Sequence, residues 1–450
     1  MKKILVVGQG GREASIAKKL SFDSTVFSFM GHKNPTILKY VQQTGGQYEL
    51  GDINNGQLIA DFSKRAMIDL VFVNSDNPLA AGVVDILMSN KIPVIGPSKS
   101  GAEIEWNKIY ALQLMKELFP EYTPRFWLVS NKNELKSIVD ILEKNKIPVV
   151  VKPQGLTGGK GVKVMGEHLV DYQAVFNYAL EVLDMRKQVN EKVVLVEKMT
   201  GIEFTVMGLT DGINLVCAPA TYDHPYRLDG DKGPGTGGMG SFNDKNFSLP
   251  FMDYQEYKLC EKIMKSVLLK LKSEGRHFQG VLNGGFFLTE EGLKFMEFNA
   301  RFGDPECMNV MLVLDTPFSE ILNLMYNNNL THDKVIFKKQ ASVVKYLVSP
   351  EYGYKKGPTH DFIVDEDALN KNGIEVFFAS AEAIEKNFFR TIGTSRSLAL
   401  ACTAETIQEA SKKINNNVLN FVSGTLELRK DIGSQEELDQ LIHLKKRFSL

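Results

Sequence analysis

The sequence predicts an α/β protein of several domains, with a parallel sheet at its N-terminus and a mixed α+β domain at its C-terminus. Its 450 residues are too many for one hydrophobic core, so we expect roughly two to four domains. In the first hundred residues, short apolar runs alternate with helical segments, which is typical of a parallel sheet covered by helices. The later chain also mixes strands with helices and contains no internal repeat.

Apolar runs mark the strands of the N-terminal sheet. Residues 4–7, 70–73 and 93–95 are continuous apolar stretches, and glycine or a polar turn follows each of them. The Gly-Pro-Ser sequence at 96–98 then breaks the pattern. A single helix is predicted over 101–118.

Apolar and β-branched patterns also predict the elements further along the chain. The β-branched runs 148–152 and 162–165 flank a loop with four glycines, which predicts a hairpin with a mobile tip. Apolar residues at helical spacing between 260 and 271 predict a buried helix that ends at Gly275. Another strand is expected at 342–348.

Charge and composition exclude several classes of partner. The chain carries 53 basic and 54 acidic side chains, for a net charge of -1, so it has no electrostatic footprint for nucleic acid or an anionic membrane. The apolar run at the N-terminus is too short for a secretory signal, and no stretch approaches a membrane span. The four cysteines are far apart and are expected to be reduced. A cytoplasmic protein is predicted.

The first motif that carries chemistry is the loop between the two hairpin strands. It reads Lys-Pro-Gln-Gly-Leu-Thr-Gly-Gly-Lys-Gly-Val from Lys152 to Val162. Glycines let backbone N–H groups approach a phosphate, and two lysines can neutralise its charge. It is not a Walker loop, because no Ser or Thr follows Lys160 and a strand follows the loop. A plain flexible hairpin tip is the alternative.

A second motif, Glu-Phe-Asn-Ala-Arg-Phe-Gly-Asp-Pro-Glu, runs from Glu297 to Glu306. In a strand, the period of two places Glu297 and Asn299 on one face. Two such oxygen donors suit Mg²⁺, which takes few protein ligands beside water and phosphate. Arg301 and Asp304 follow where the chain leaves the sheet, a usual place for ligand contacts. The alternative is a surface strand with an ion pair.

Two glycine-rich loops complete the set. Residues 233–240 contain five glycines and follow Asp229 and Asp231; such a loop can wrap a ligand with its backbone, and a disordered linker is the alternative. Residues 8–13, Gly-Gln-Gly-Gly-Arg-Glu, follow the first strand and present a helix N-terminus to an anion. Glu13 stands where a dinucleotide fingerprint has its last glycine, which disfavours a nicotinamide site.

Taken in order, the four motifs resemble those of the glycinamide ribonucleotide synthetase (phosphoribosylamine–glycine ligase) family, ATP-grasp enzymes of purine synthesis. The resemblance extends from the loop at 8–13 to residues 428–433 and so covers nearly the whole chain. Residues 301–306 are its most specific part, whereas the lysine–glycine loop occurs in ATP-grasp proteins generally. It implies a multi-domain ATP-grasp architecture and a ligase that forms an amide through an acyl phosphate.

The resemblance also implies roles for the residues that match. ATP would be bound by Lys108, Lys152, Gly158, Gly159, Lys160, Glu197, Lys198, Met199 and Glu203. The phosphorylated amine and the amino acid would be bound by Gly10, Gly11, Arg12, Pro78, Asp223, Gly237, Gly238 and Arg301. Arg301, Lys160 and Asp304 would act catalytically. Glu297 and Asn299 would hold Mg²⁺ or Mn²⁺.

Five segments follow from the same resemblance. They are a Rossmann-like substrate domain (1–105), a linking helix (106–122), a mobile ATP-grasp B subdomain (123–195), an ATP-grasp A subdomain with the metal site (196–336) and a C-terminal domain (337–450). The expected partners are small-molecule substrates, with no nucleic acid or membrane. A monomer is predicted, with a dimer as the alternative.

Departures from the family pattern cluster in the loops that would hold the two substrates. They are Ala14 for His, Asn74, Ser75 and Asp76 for Gly-Pro-Glu, Pro225 and Tyr226 for Lys-Arg, Gly235 for Asn, and Met308 for Glu or Gln. Two ligase hypotheses therefore stand: the family's own reaction of phosphoribosylamine with glycine, and a paralogous ligase that uses another acid and amine. An ATP-binding protein without enzymatic activity and a dehydrogenase are the remaining alternatives.

Overall fold

The computed structural model describes residues 1–155, 161–186 and 192–448. The chain divides into two compact units. The larger unit comprises Met1–Ala102, Phe204–Gly284 and Asn299–His443. The smaller unit comprises Glu103–Glu203, Gly285–Phe298 and Leu444–Leu450. The five segments expected from the sequence stay a prediction.

A five-stranded parallel sheet opens the larger unit, as the alternating apolar runs predicted. Its strands are β1 (Lys2–Val7), β2 (Ser24–Met30), β3 (Tyr48–Leu50), β4 (Leu70–Val73) and β5 (Val94–Ile95), in the order β3-β2-β1-β4-β5. The helices are α1 (Gly11–Leu20), α2 (Pro35–Gln43), α3 (Gly56–Ala66), α4 (Asp76–Ala81) and α5 (Val83–Ser89). The last four residues of β1 are fully buried, as expected for a central strand covered on both faces.

The smaller unit contains the predicted hairpin. Its elements are α6 (Glu103–Trp106), α7 (Lys108–Leu118), a 3₁₀ turn (Pro120–Tyr122), β6 (Phe126–Val129), α8 (Lys132–Lys144), β7 (Val149–Pro153), β8 (Lys163–Val164), α9 (Tyr172–Arg186) and β9 (Val193–Glu197). The strand order is β6-β9-β7-β8. Strands β7 and β8 pair antiparallel, with Val150 opposite Val164. Apolar residues of α8 and α9 cover this sheet in one buried cluster.

The single helix predicted over 101–118 is wrong, because the chain forms two helices there. Asn107 separates α6 from α7 and has a non-helical backbone, with φ -114° and ψ 87°. Its side chain accepts a hydrogen bond from the backbone N–H of Tyr110. That bond satisfies one of the N–H groups at the start of α7, so Asn107 acts as a helix N-cap.

The middle of the chain builds a second mixed region. It comprises β10 (Gly201–Thr210), β11 (Leu215–Cys217), β12 (Tyr222–Asp223), β13 (Tyr226–Leu228), β14 (Lys232–Gly235), β15 (Gly240–Asn243), α10 (Tyr254–Ser273), β16 (Gly280–Thr289), β17 (Gly292–Asn299), α11 (Glu306–Val313) and α12 (Phe318–Tyr326). Four of these strands form a sheet in the order β11-β10-β16-β17. The buried helix ending at Gly275 and the strand carrying Glu297 and Asn299 are thereby confirmed.

The loop predicted at 233–240 is partly a strand. Residues 232–235 form β14, which pairs antiparallel with β13 as a two-stranded ribbon. The turn between the strands contains Asp231 at φ 54° and Gly230 at φ 68°. Left-handed residues at a hairpin turn match the twist of the flanking strands, which explains why this glycine-rich stretch supports a ribbon.

The C-terminal region adds two sheets. It comprises a 3₁₀ turn (His332–Lys334), β18 (Ala341–Val348), β19 (Asp361–Val364), α13 (Glu366–Lys371), β20 (Ile374–Phe378), β21 (Ala381–Glu385), β22 (Phe388–Thr391), β23 (Arg396–Ala404), α14 (Ile407–Phe421), β24 (Val422–Gly424) and α15 (Gln435–Arg447). The strand orders are β12-β15-β18-β23-β20 and β21-β22-β19-β24. Among the described residues, no helix has the length and apolar character needed to cross a membrane.

Candidate functional site

Two of the predicted ATP-binding lysines lie in the smaller unit. Lys108 is the first residue of α7, and its Nζ donates a hydrogen bond of 3.0 Å to the carbonyl of Gly155. The Lys108 backbone N–H also contacts the carbonyl of Gln154, at 3.3 Å. Lys152 lies half-buried on β7. The start of α7 is therefore tied to the base of the lysine–glycine loop. Gly158, Gly159 and Lys160 lie outside the described residues.

The predicted adenine hinge follows β9. Glu197 forms a bidentate ion pair with Arg125, whose Nε and Nη2 lie 2.7 and 2.5 Å from the two carboxylate oxygens. The Nζ of Lys198 donates to Glu167 at 2.9 Å. Protein partners thus hold the side chains of Glu197 and Lys198. The next residue, Met199, has a half-buried side chain.

A cavity of about 510 Å³ adjoins this hinge within the smaller unit. Its lining includes residues 197–200, Arg125 and Lys294, but not Lys108 or Lys152. Lys108 and Lys152, both expected to bind phosphate, therefore do not line this cavity.

Glu203 and the predicted metal ligands lie on two strands of the sheet β11-β10-β16-β17, with β16 between them. Glu203 is half-buried on β10, and Glu297 and Asn299 occupy alternate positions at the end of β17. Asn299 Oδ1 accepts a hydrogen bond of 3.3 Å from Nη2 of Arg301. In the described part of the chain, no group of three His, Cys, Asp or Glu side chains is arranged to hold a metal. One carboxylate and one amide still suit Mg²⁺, which keeps several water and phosphate ligands.

In the larger unit, the glycine-rich loop at 8–13 begins α1. Gly8 has φ 129°, and a Cβ there would lie 2.7 Å from the Cγ of Glu13. The Gly10 N–H donates to Glu13 at 2.8 Å. The Glu13 carboxylate thus accepts a hydrogen bond from one of the N–H groups at this helix end. The loop needs glycine where its backbone lies against the Glu13 side chain.

Arg12 is buried and has several polar partners. Its Nε contacts Glu13 at 2.7 Å, its Nη1 donates to the carbonyl of Phe302 at 3.1 Å and its Nη2 donates to Ser75 Oγ at 3.1 Å. Ser75 Oγ donates in turn to Glu13 at 3.0 Å. Burial alone would lower the pKa of Arg12, but Glu13 and other nearby carboxylates raise it, so the guanidinium stays charged.

The 74–76 segment connects this arginine to the 301–306 motif. The amide oxygen of Asn74 accepts from the backbone N–H of Phe302 at 3.0 Å. Burial alone would raise the pKa of Asp76, but Arg301 and Arg12 outweigh it and hold that pKa below its usual range. Asp76 is therefore an anion that balances two predicted substrate-binding arginines.

Asp304 is held by two residues from the C-terminal region. Tyr346 Oη donates to Asp304 Oδ1 at 2.6 Å, and Arg396 Nη2 lies 3.3 Å from Oδ2. Arg396 Nη1 also donates to the carbonyls of Asp304 and Gly237. The predicted substrate residues Gly237 and Asp304 are thus brought together by an arginine that the sequence analysis did not single out.

The remaining predicted substrate residues occupy separate places in the larger unit. Pro78 is buried within α4, while Asp223 ends β12 beside Gly238, where an added Cβ would lie 3.4 Å from Asp223 Oδ2. Gly11 lies under the hydroxyl of Tyr346. The structure groups Gly238 with Asp223, and Gly11 with Tyr346, while Pro78 belongs to the helix packing.

Residues 429–431 anchor the turn between β13 and β14. Arg429 is buried and its Nη1 contacts Asp231 at 2.7 Å. The N–H of Gly230 donates to Asp431 at 2.8 Å, and the N–H of Lys430 donates to Asp229 at 3.0 Å. A short C-terminal segment therefore fixes all three residues of this turn.

The other departures from the family pattern occur at the β13–β14 ribbon and on two helices of the larger unit. The backbone carbonyls of Pro225 and Tyr226 accept hydrogen bonds from Thr236 and Arg429. Gly235 faces open space. Ala14 is buried on α1 and Met308 on α11.

Arg396 and Tyr346 are the site residues that sequence reasoning missed. Tyr346 belongs to a predicted strand, and Arg396 begins another strand some fifty positions later. Neither residue lies in a glycine-rich or charged motif, so no local signal marks it. Only the pairing of β18 with β23 brings them together.

Comparison with known proteins identifies the family of this chain. The profile "Phosphoribosylglycinamide synthetase, N domain" matches residues 2–105, and "Phosphoribosylglycinamide synthetase, ATP-grasp (A) domain" matches residues 107–307. The phosphoribosylamine–glycine ligase of Methanosarcina barkeri is 39% identical over 98% of this chain and 100% of its own.

Two solved structures share the fold. The phosphoribosylamine–glycine ligase of Thermotoga maritima has a TM-score of 0.76 at 23% identity, covering 96% of this chain and 100% of its own. A biotin carboxylase domain of 2-oxoglutarate carboxylase from Hydrogenobacter thermophilus, solved with MgADP, has a TM-score of 0.70 at 15% identity, covering 99% and 94%. On the strength of the profiles and the full-length relative, this chain belongs to the phosphoribosylglycinamide synthetase family of ATP-grasp ligases.

Proposed function

We propose that this protein is an ATP-dependent ligase that joins phosphoribosylamine to glycine, giving glycinamide ribonucleotide, ADP and phosphate in purine biosynthesis. The observation that carries the proposal is the intact network around Arg12 in the larger unit. Ser75 and Asp76 are departures from the family pattern, yet Ser75 bonds to Arg12 and Asp76 supplies the carboxylate facing Arg12 and Arg301.

ATP is assigned to the smaller unit. Lys108 and Lys152 would neutralise phosphate charge, and the lysine–glycine loop with Lys160 would add backbone N–H groups. The hinge backbone at 197–199 would contact adenine, since the Glu197 carboxylate is already paired with Arg125. Glu203 would accept hydrogen bonds from the ribose hydroxyls.

Glu297 and Asn299 are the proposed ligands of a divalent cation. Their oxygen donors fit a hard ion such as Mg²⁺, with Mn²⁺ as the alternative. The metal, when bound, would neutralise charge on the ATP phosphates. Arg301 lies two residues further on and contacts Asn299 Oδ1, so it orients the amide that would face the ion.

The proposed chemistry requires no covalent bond to the enzyme. A glycine carboxylate oxygen attacks the γ-phosphorus, forming an O–P bond as the bond to the β-phosphate oxygen breaks and ADP leaves. The amine nitrogen then attacks the acyl carbon, inorganic phosphate leaves and the nitrogen loses a proton. Lys160, Arg301 and Asp304 would position the reactants and stabilise the charge that develops, as in other phosphoryl transfers.

A paralogous reaction would call for a disrupted arrangement around the two predicted substrate-binding arginines, whereas the departures Ser75 and Asp76 still provide partners for Arg12 and Arg301. The carbonyls of Pro225 and Tyr226 accept hydrogen bonds from Thr236 and Arg429, and Gly235 faces open space. Ala14 and Met308 are buried on helices rather than exposed in a loop. The family's own substrate pair is therefore the better supported of the two ligase hypotheses.

An ADP-release assay with separate substrates tests the proposal. Wild-type protein should release ADP only when phosphoribosylamine and glycine are both present with Mg²⁺. Other amino acids serve as the comparison series, and Glu297→Gln should lower the rate by about a hundredfold through loss of a cation ligand. Faster turnover with a different acid or amine would replace this proposal with the paralogous one.

The cytoplasmic location and the monomeric state stay predictions. Gel filtration with light scattering would measure the mass of the protein in solution, and a value near the 50.4 kDa of one chain would support a monomer.

A further inference from the structure

The glycine-rich segment and the 301–306 motif are joined by one guanidinium. Nη1 of Arg396 donates to the carbonyls of Gly237 and Asp304, the latter at 2.6 Å, and lies 3.4 Å from the carbonyl of Gly238. Nη2 adds the ion pair to the Asp304 carboxylate at 3.3 Å. One side chain thus contacts three backbone carbonyls and a carboxylate.

The guanidinium is itself fixed from the opposite side. Its Cζ lies 4.7 Å from the ring centroid of Tyr346, a cation–π contact. The Tyr346 hydroxyl donates to the same Asp304 carboxylate that Arg396 pairs with. The side chain of Arg396 is only 17% exposed, so removing either Arg396 or Tyr346 would break hydrogen bonds to Asp304, and removing Arg396 would also leave the Asp304 carboxylate without its ion-pair partner.

Gly238 has a backbone conformation that favours glycine, and the contacts from Arg396 hold it in place. It has φ 102°, and an added Cβ would lie 2.8 Å from Pro305 and 3.4 Å from Asp223. A glycine in this conformation pays the largest entropic cost for being held in one place. The hydrogen bonds from Arg396 to its carbonyl and to that of Gly237 offset this cost.

We propose that Arg396 is a positioning residue of the ligase, which locks residues 237–238 onto Asp304 so that the non-nucleotide substrates meet a preformed site. Tyr346 assists by fixing the guanidinium and the Asp304 carboxylate together. The inference rests on the proposed function. Both residues lie beyond residues 2–105 and 107–307, the parts of the chain that the family profiles match.

The role predicts a specific kinetic pattern. ATP is assigned to residues of the smaller unit, whereas Arg396 holds residues of the larger unit. Loss of Arg396 should therefore raise KM for phosphoribosylamine or glycine by about tenfold or more and lower kcat, while KM for ATP stays within about twofold. Arg396→Lys keeps the charge but loses the planar fork, so it should recover only part of the activity.

The test uses full-length protein and two measurements. Amide hydrogen exchange over 233–240 and 301–306 is followed without substrates in wild type, Arg396→Gln and Arg396→Lys. The N–H groups of Thr236 and Met239 are hydrogen-bonded at 2.7 Å and provide slow-exchanging reporters. Steady-state kinetics of the same variants, with and without added guanidine, form the second measurement. Arg390→Gln is the control, because Arg390 forms an exposed bidentate pair with Asp361.

Faster exchange in both segments for Arg396→Gln, the KM pattern above and partial recovery with guanidine would support the proposal. Unchanged exchange at 233–240 would overturn it, as would equal losses for ATP and the other substrates. If wild-type protein turns over a different acid and amine, the proposed function fails while the exchange measurement still decides the role of Arg396. The kinetic comparison is then made with the pair that is used.

Discussion

Gly11 shows how closely a single position is constrained in the proposed substrate region. The Tyr346 hydroxyl occupies the space where a side chain at Gly11 would begin, and it also donates to Asp304. We expect Gly11→Ala to displace Tyr346, destabilise the protein by about 1–3 kcal/mol through overpacking and lower kcat/KM for ADP release at least about tenfold. Thermal melting and the ADP assay measure the two effects.

Gly235 is the matched control for that substitution. It is also in a glycine-rich segment of the larger unit, but no heavy atom lies within 4 Å of an added Cβ. Gly235→Ala should change neither the melting temperature nor the rate of ADP release. Gly235→Asn, which restores the family residue, should also leave both unchanged. Equal loss of activity in Gly11→Ala and Gly235→Ala would show that crowding against Tyr346 is not the cause.

Among the elements, α7 depends on its cap. Asn107 accepts a hydrogen bond from the N–H of Tyr110 and precedes Lys108, which contacts Gly155. Asn107→Ala should cost about 1 kcal/mol in stability and raise KM for ATP severalfold, because the first turn that carries Lys108 would fray. Thermal melting and ATP titrations in the ADP assay provide the measurements.

Asn131 caps α8 in the same unit and supplies the comparison. Its side chain accepts from the N–H groups of Asn133 and Glu134. Asn131→Ala should lower stability by a similar amount while KM for ATP stays unchanged. A rise in KM for both variants would mean that reduced stability, and not the position of Lys108, governs ATP affinity.

Elements with a local signal were predictable, and those set by distant contacts were not. The β7–β8 hairpin and α10 follow from alternation and helical spacing, which a short window of sequence contains. The break at Asn107 was missed because apolar residues continue on both sides of a polar cap. Arg396 was missed because its partners lie about 90 and 160 positions away in the chain.

At the scale of the whole molecule, stability should respond to a buried lysine in the C-terminal region. Lys345 Nζ donates to Ser411, Asn415 and the carbonyl of Lys430, each at 2.9 Å, and the residue is fully buried. Burial lowers its pKa to about 7, although Asp431 and other nearby carboxylates oppose the shift. Above that value the folded protein binds fewer protons than the unfolded chain, whose lysine titrates near 10.5.

The sign of the effect follows from that difference. Below about pH 7, burial of the charged Lys345 lowers the free energy of unfolding by its full amount. As pH rises from 7 toward 10.5, the free energy of unfolding increases by at most about 1.4 kcal/mol per pH unit. Wild type should therefore gain stability relative to Lys345→Met between pH 7 and 9 in thermal melting. Lys386→Met, at an exposed site, is the control. A constant difference across this range would show that Lys345 stays charged in the folded protein.

The thiols provide a second test of global structure. All four cysteines are free and buried, and burial raises each thiol pKa. Ellman's reagent should therefore label less than about one thiol per folded chain within minutes, and all four after urea unfolding. Rapid labelling of two or more in the folded protein would contradict the packing described for Cys217, Cys260, Cys307 and Cys402.

Of the global features, the family and the α/β class could be predicted because four motifs occur in a characteristic order along the chain. The detailed partners of Asp304 could not, since Tyr346 and Arg396 reach it through the pairing of β18 with β23. The roles assigned to Glu297, Asn299 and Lys160 stay predictions. A motif specifies which residue types a reaction needs, whereas the groups that hold them depend on the complete fold.

The anchoring of the β13–β14 turn by residues 429–431 has a consequence for protein synthesis. Arg429 is made 198 residues after Asp231, its ion-pair partner. At about 5–20 residues per second, the ribosome needs about 10–40 s to cover that interval. Throughout this time the turn lacks its anchor, whatever has already folded upstream. A nascent chain that ends before residue 429 therefore lacks the ion pair that Arg429 makes with Asp231.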